Sequence, residues 1–519
     1  MEYRTIDGSR NAPGDSAINA SNTAFVRTTA PNFADDVRGM IDGPNPRVIS
    51  NTVVGEGDAE AANPQGLSGM MYAWGQFIDH DINLTADSRN PDEPISVRVP
   101  DDDPHFPPGT LIPMTRAQVD ANGDAINAVT GWLDASMVYG STKEIAAKLR
   151  DDGGRMRTSA GDNLPIADID PSGEDTSNTG ALRGHLAGDG RADENPSLTA
   201  LHTLFVREHN YQVERLQETD PDLTSDQLYE QARAIVTAEI AHVTYAEFLP
   251  HLLGEQMIDD YEGYDAEVDP RMSIEFAGAA YRWGHSTVSP HTEKLSETGE
   301  PGGESSLAEA FFQSPEVFAA DGGADGLLRH LAADLSQTMD VRIVDDLRNL
   351  LFDPPVSLDL AAINIQRGRD LGLSLLNDTR EYFGLERHDD FGDITSDAET
   401  VAAMRATYTS VDQVDLWTGG LAEEVHTGFI GETFGHIVAD QFARLRDGDR
   451  LWYENQGFDD ATLTAIKETS LSDLILRNTD TQVLQADVFT FYERRLAGVE
   501  PQEPNHPQLV IEPDVIGMI

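Results

Sequence analysis

The stretch TSDQLYEQARAIVTAEIAHVTYAEFLPHLLG, residues 224–254, constrains the fold more than any other. Apolar residues recur along it at the spacing of one helical face. Thr224 and Gln227 are placed for a capping box, and Pro250 and Gly254 punctuate the end. The same period returns in SLTALHTLFVREHNYQVERLQ, DDLRNLLF and GETFGHIVADQFARLR, while strand-like alternation is scarce and no internal repeat is apparent. The expected fold is therefore mainly α with little β structure, in one large domain over residues 66–497. A Gly-, Asn-, Pro- and Asp-rich arm over 1–65 should pack on it, and a Pro-rich tail over 498–519 should run extended.

Charge narrows the partners. Asp plus Glu number 91 against 36 Lys plus Arg, a formal net charge of -55 spread along the chain. Such self-repulsion argues against nucleic acid or an anionic membrane surface as a partner. Only four lysines occur, Lys143, Lys148, Lys294 and Lys467. An acid-rich, lysine-poor surface suits high salt, where screening acts over a few ångströms, so a halophilic protein is expected. Cysteine is absent, which excludes a thiolate nucleophile, a Cys-based zinc site and a disulfide-linked dimer, and leaves oligomeric state open. No basic start with an apolar run and no bilayer-length apolar segment is visible, so the expected location is cytoplasmic, with leaderless export as the alternative.

The chemistry is concentrated in WGQFIDHDINLT, residues 74–85. On a helix, Gln76, Asp79 and His80 project from one face, with Trp74, Ile78 and Ile82 able to pack around it. An amide, a carboxylate and an imidazole are costly to bury without partners. The bland reading is a hydrogen-bonded core histidine beside a surface aspartate. A His-Asp metal phosphohydrolase needs an upstream histidine, and His80 is the first in the chain.

The stretch resembles the distal helix of the animal haem peroxidases, the peroxidase-cyclooxygenase superfamily. That resemblance implies His80 as distal acid and base, Gln76 beside it, Asp79 as a carboxylate able to esterify haem b, and Asp81 as a calcium ligand. TGWLDASMVYGS, residues 130–141, is similar to the family's calcium loop, with Thr130, Asp134, Ser136 and the Trp132 carbonyl as oxygen donors. AGDGRADENPSLTALHTLFVREHN matches the segment of the distal arginine and the second haem-linking carboxylate, implying Arg191 and Glu194. Asn195 stands where the myeloperoxidase branch has a methionine, so at most two ester links are expected. The Arg207, Glu208 and His209 cluster is read as structural ion pairing. YRWGH, residues 281–285, resembles the proximal motif with His285 as axial ligand, and AAINIQRGRDLG supplies Asn364 to hold its other ring nitrogen. Arg282 and Arg367 are expected to pair with the haem propionates. VDLWTGGLAEE and QFARLRDGDRLWYEN resemble structural signatures without chemistry.

The resemblance implies a peroxidase that uses hydrogen peroxide to oxidise halide, thiocyanate or small aromatic donors through a ferryl intermediate. Two alternatives stand beside it. One is a fatty-acid dioxygenase, for which Tyr281 lies four residues before His285, in the peroxidase spacing. The other is a calcium-stabilised scaffold without catalysis, against which the set His80, Arg191, His285 and Asn364 speaks.

Overall fold

The computed structural model describes residues 1–35, 38–56, 63–88, 93–167, 184–254, 257–320, 322–350 and 358–492. The expected tail over 498–519 lies outside them. Helices dominate, and the described strands form three two-stranded antiparallel sheets, Thr23–Ala24 with Ile126–Asn127, Val97–Arg98 with Leu111–Ile112, and His291–Leu295 with Pro301–Ser306. Among the described residues no helix is long and apolar enough to cross a membrane.

Within the arm, α1 (Pro46–Thr52) is the exception to irregular chain, with Asn45 capping it and proline in its first turn. Arg47 of α1 is completely buried. It donates to Asp103, Asp359 and Asn349 and lies 4.3 Å over the Phe106 ring. The arm is thereby joined by one cation to two distant parts of the domain. Residues nearer the start are pinned elsewhere: Arg4 and Asn11 both donate to Asp449, and Arg450 reaches back to Glu2.

Helix α2 (Met70–Ile82) is buried over most of its length and packs Trp74 and Phe77 against Phe205. Phe205 belongs to α3 (Pro196–Thr219), which Asn195 caps through the Leu198 N–H. Next comes α4 (Ser225–Val243), whose Thr224–Gln227 capping box is present as the sequence predicts. Its continuation is not a plain helix: Thr244–Phe248 forms a π-type turn before Leu249–Leu253, and Gly254 ends it at φ 83°. The Thr244 hydroxyl bonds the Ile240 carbonyl and accepts from the Trp74 indole, so the turn faces α2. Two later helices complete the frame around the cleft, α5 (Leu360–Asp370) and α6 (Glu432–Asp447). DDLRNLLF is shorter than expected, with a helix only over Asp345–Arg348; residues 351–357 lie outside the described chain.

Candidate active site

A cavity of about 280 Å³ runs between α2 and the segment Ala280–Ser286. Gln76, Asp79, His80 and Asn83 line one side of it, in the spacing of a single helical face. Tyr281, Arg282, Trp283, Gly284 and His285 line another, and Asn364 of α5 backs them. The two sides touch at Gly75, where a Cβ would lie 2.9 Å from the Trp283 ring. Glycine is required there for the close approach.

His80 is buried, and burial, reinforced by Arg191, pushes its pKa well below the ordinary histidine value. It is therefore neutral at pH 7 and able to accept a proton. Its Nε2 lies 3.9 Å from Oε2 of Glu194, while its Nδ1 is buried without a hydrogen-bond partner. Glu194 also accepts from Gln76 Nε2 at 3.2 Å, and burial raises its carboxyl to about 7. Burial likewise raises Asp79, whose Oδ1 accepts from Asn83 at 2.6 Å and whose Oδ2 lies 3.6 Å from Arg191.

Sequence reasoning missed the partner that aims Arg191. Asp189 is buried, accepts from both Nε and Nη2 of Arg191 at 2.9 Å, and is held by that guanidinium well below the usual carboxylate range against the effect of burial. Nη2 also donates to the Asn83 carbonyl at 3.1 Å. The available signal was a carboxylate two residues before the arginine in AGDGRADENP. Asn83 was also legible, four residues after Asp79 on the same helical face.

On the opposite side, Asn364 Nδ2 lies 2.7 Å from His285 Nδ1, and Arg282 donates to Asn364 Oδ1 at 2.7 Å. Burial, with Arg282 nearby, lowers the His285 pKa to about 4, so the ring is neutral and competent as a ligand. Arg282 lines the cavity. Arg367 does not: its guanidinium is spent on Asp87, Asp370 and the Thr115 carbonyl, carboxylates that this acid-rich chain supplies close by. The Tyr281 hydroxyl and Trp283 Nε1 are buried in the cavity wall without hydrogen-bond partners among the described residues. An imidazole with one nitrogen tied back, unpartnered polar atoms and two carboxylates beside them fit a bound haem.

Asp81 points the other way along α2. Its oxygens accept from the backbone N–H groups of Ala135 and Ser136, and the Ser136 hydroxyl donates to its carbonyl. Thr130 donates to Oδ1 of Asp134, whose Oδ2 is buried with no partner. Burial raises Asp134 to about 6, and burial with the Asp134 charge raises Asp81 well above the ordinary carboxylate value. Four of the five expected calcium donors are thus gathered. The fifth, the Trp132 carbonyl, accepts from the Asp134 N–H at 2.9 Å, closing a turn. Among the described residues no three carboxylates or histidines converge on one point, so hydroxyl and carbonyl oxygens would have to complete a cation shell.

The remaining clusters are structural. Arg207 pairs with Asp325, Glu208 with Arg477, and His209 bonds Tyr139 and the Gly154 carbonyl. In the downstream signatures Asp415 pairs with Arg369, Glu423 with Arg380, and Asp449 with Arg4.

The fold and cleft define a mainly helical protein whose cavity, lined by α2 and the segment Ala280–Ser286, has the residues to hold a haem. Comparison with known proteins agrees. The family described as animal haem peroxidase matches residues 3–489. A peroxidasin homolog of Mus musculus is 34% identical over 95% of this chain, and the match covers 38% of that relative. Myeloperoxidase of Mus musculus is 32% identical over 94% of this chain and 76% of its own length. The solved structure of peroxidase A from Dictyostelium discoideum superposes with a TM-score of 0.84 at 29% identity, covering 94% of this chain and 100% of that one. The chain belongs to the animal haem peroxidase family. It spans about two fifths of the length of the peroxidasin relatives.

Proposed function

We propose that this chain binds haem b through His285 and uses hydrogen peroxide to oxidise small donors, namely halide, thiocyanate or simple aromatics. The observation that carries the reading is a neutral His80 lining the same cavity as His285, which Asn364 holds by its other nitrogen. The haem, when bound, supplies the oxidising power that peroxide delivers. His80, kept neutral by burial, takes a proton from one peroxide oxygen and returns it to the other. Arg191, fixed by Asp189, offers positive charge to the departing oxygen without having to reorganise. Gln76 offers an amide N–H at the same wall.

Calcium in the Asp81 and Asp134 site is part of this proposal, supported by the unpartnered Asp134 Oδ2. Ester links from Asp79 and Glu194 to the haem are supported by their places in the cavity wall and by raised pKa values that favour the neutral acid. Adaptation to high salt is supported by the charge of -55. Unfolding in dilute buffer with recovery in molar salt is its expected sign, and full stability in dilute buffer would refute it.

The test is the visible spectrum of haem-supplemented protein in high salt with calcium. The expected result is a ferric Soret band that changes with stoichiometric peroxide and returns on addition of bromide or a phenol. His80→Ala should keep the band and slow the peroxide step by roughly 10²–10⁴-fold, whereas His285→Ala should lose axial ligation. Peroxide kinetics in His80→Ala equal to the parent would remove the proposed mechanism.

A further inference from the structure

Asn195 does two things with one amide. Its Oδ1 accepts the Leu198 backbone N–H at 2.9 Å, capping α3. A backbone nitrogen only donates, so this contact fixes which end of the amide is oxygen. Nδ2 must then face the other way, and it donates to Oε1 of Gln76 at 3.0 Å. With Oε1 occupied, the NH2 of Gln76 is turned toward Oε2 of Glu194, at 3.2 Å, on the cavity wall.

We infer that Asn195 is a positioning residue that sets the polarity of Gln76, so that the distal wall presents an N–H donor rather than a carbonyl to a small anion or a peroxide oxygen. Reversing Gln76 would set its NH2 against the Asn195 NH2 and its carbonyl against a Glu194 oxygen. The first contact would then pair donor with donor at any pH, and the second would pair acceptor with acceptor whenever Glu194 is ionised. The orientation therefore descends from a helix backbone through two amides to the site. This inference rests on the haem reading of the cleft and adds to it a determinant of small-anion selectivity at a position outside the predicted catalytic set.

The experiment measures fluoride affinity of the ferric, haem-loaded protein by the Soret shift with sodium fluoride. Asn195→Ser keeps a helix cap but cannot reach Gln76; Asn195→Asp keeps the cap and places an acceptor opposite Oε1. Both should bind fluoride more weakly, Asn195→Asp by roughly tenfold or more, with unfolding temperatures close to the parent because the cap survives. In a Gln76→Ala background, Asn195→Ser should cause no further loss. Parent-like fluoride affinity in both single variants overturns the inference, as does an equal loss from Asn195→Ser with Gln76 absent. A parent that takes up no haem, giving no ferric Soret band, removes the haem reading and this inference together; a haem-loaded parent that shows no fluoride shift, or a responsive parent with indifferent variants, removes this inference alone.

Discussion

Nδ2 of Asn364 lies 2.7 Å from Nδ1 of His285, while Oδ1 of the same amide accepts from Arg282. A histidine that ligates iron through Nε2 carries its proton on Nδ1 and needs an acceptor there. Were His285 to ligate iron, the Asn364 amide would have to present its oxygen to the ring, which would free Arg282 from that oxygen to meet an anionic group of the cofactor. Asn364→Ala should weaken haem binding about 10–100-fold. Asn364→Asp should keep haem but lower its reduction potential, because a carboxylate draws the Nδ1 proton harder. Titration of the Soret band and a redox titration check the two; unchanged haem affinity in Asn364→Ala would refute the role.

Burial raises Glu194 to about 7, so the carboxyl is neutral below that pH and anionic above it. Its Oε2 lies 3.9 Å from His80 Nε2, at the wall an anionic donor must approach. In protein freshly loaded with haem and not yet exposed to peroxide, halide affinity should fall as pH rises through about 7. Glu194→Gln should flatten that step. A step of the same size and position in Glu194→Gln would assign it to another group.

Calcium removal should act on stability. Asp134 titrates near pH 6 and Asp81 is also raised, both by burial. A cation needs both ionised, so its affinity should weaken as pH is lowered, be lost by the pH near 6 at which Asp134 takes up its proton, and return as pH is raised. At a hundredfold excess over its Kd, calcium bound there would contribute about 2.7 kcal/mol. A chelator should lower the unfolding temperature of the parent and leave Asp134→Asn unmoved. An equal chelator effect on both proteins would place calcium elsewhere.

Arg47 should matter more than its position in an arm suggests. Its side chain and those of Asp103 and Asp359 are fully buried at ion-pair distances of 2.7 Å. Arg47→Ala strands two buried carboxylates and should cost about 3–5 kcal/mol, measured by denaturant unfolding. A loss below about 1 kcal/mol, the scale of an exposed pair, would mean that water reaches these groups.

Much of the site was readable because local spacing carries it. Helical period alone puts Gln76, Asp79 and His80 on one face and sends Asp81 to another, and the structure does both. The capping box at Thr224 is a contact within one turn and was equally plain. Asp189 and Asn83 escaped although they are local; the rest of what escaped depends largely on contacts between segments far apart in the chain. Nothing in the composition of the arm marks Arg47 as buried, because its partner Asp359 lies 312 positions away. Arg367 looked like a propionate partner by motif, yet Asp87 and Asp370 take its donors. The π-type turn at Thr244–Phe248 has the same apolar period as the helix it interrupts; only the indole of Trp74 against Thr244 distinguishes it.

The clasp between the opening residues and the segment after α6 has a temporal consequence. Asp449 holds Arg4 and Asn11, and Arg450 holds Glu2, across more than 430 positions of chain. Synthesis must run past residue 450 before residues 2–11 can find their partners, and closing so long a loop is slow. Residues 2–11, made before the partners they need, are thus among the last to dock, and until then these arginines and carboxylates stay in solvent, where salt decides how strongly they attract or repel.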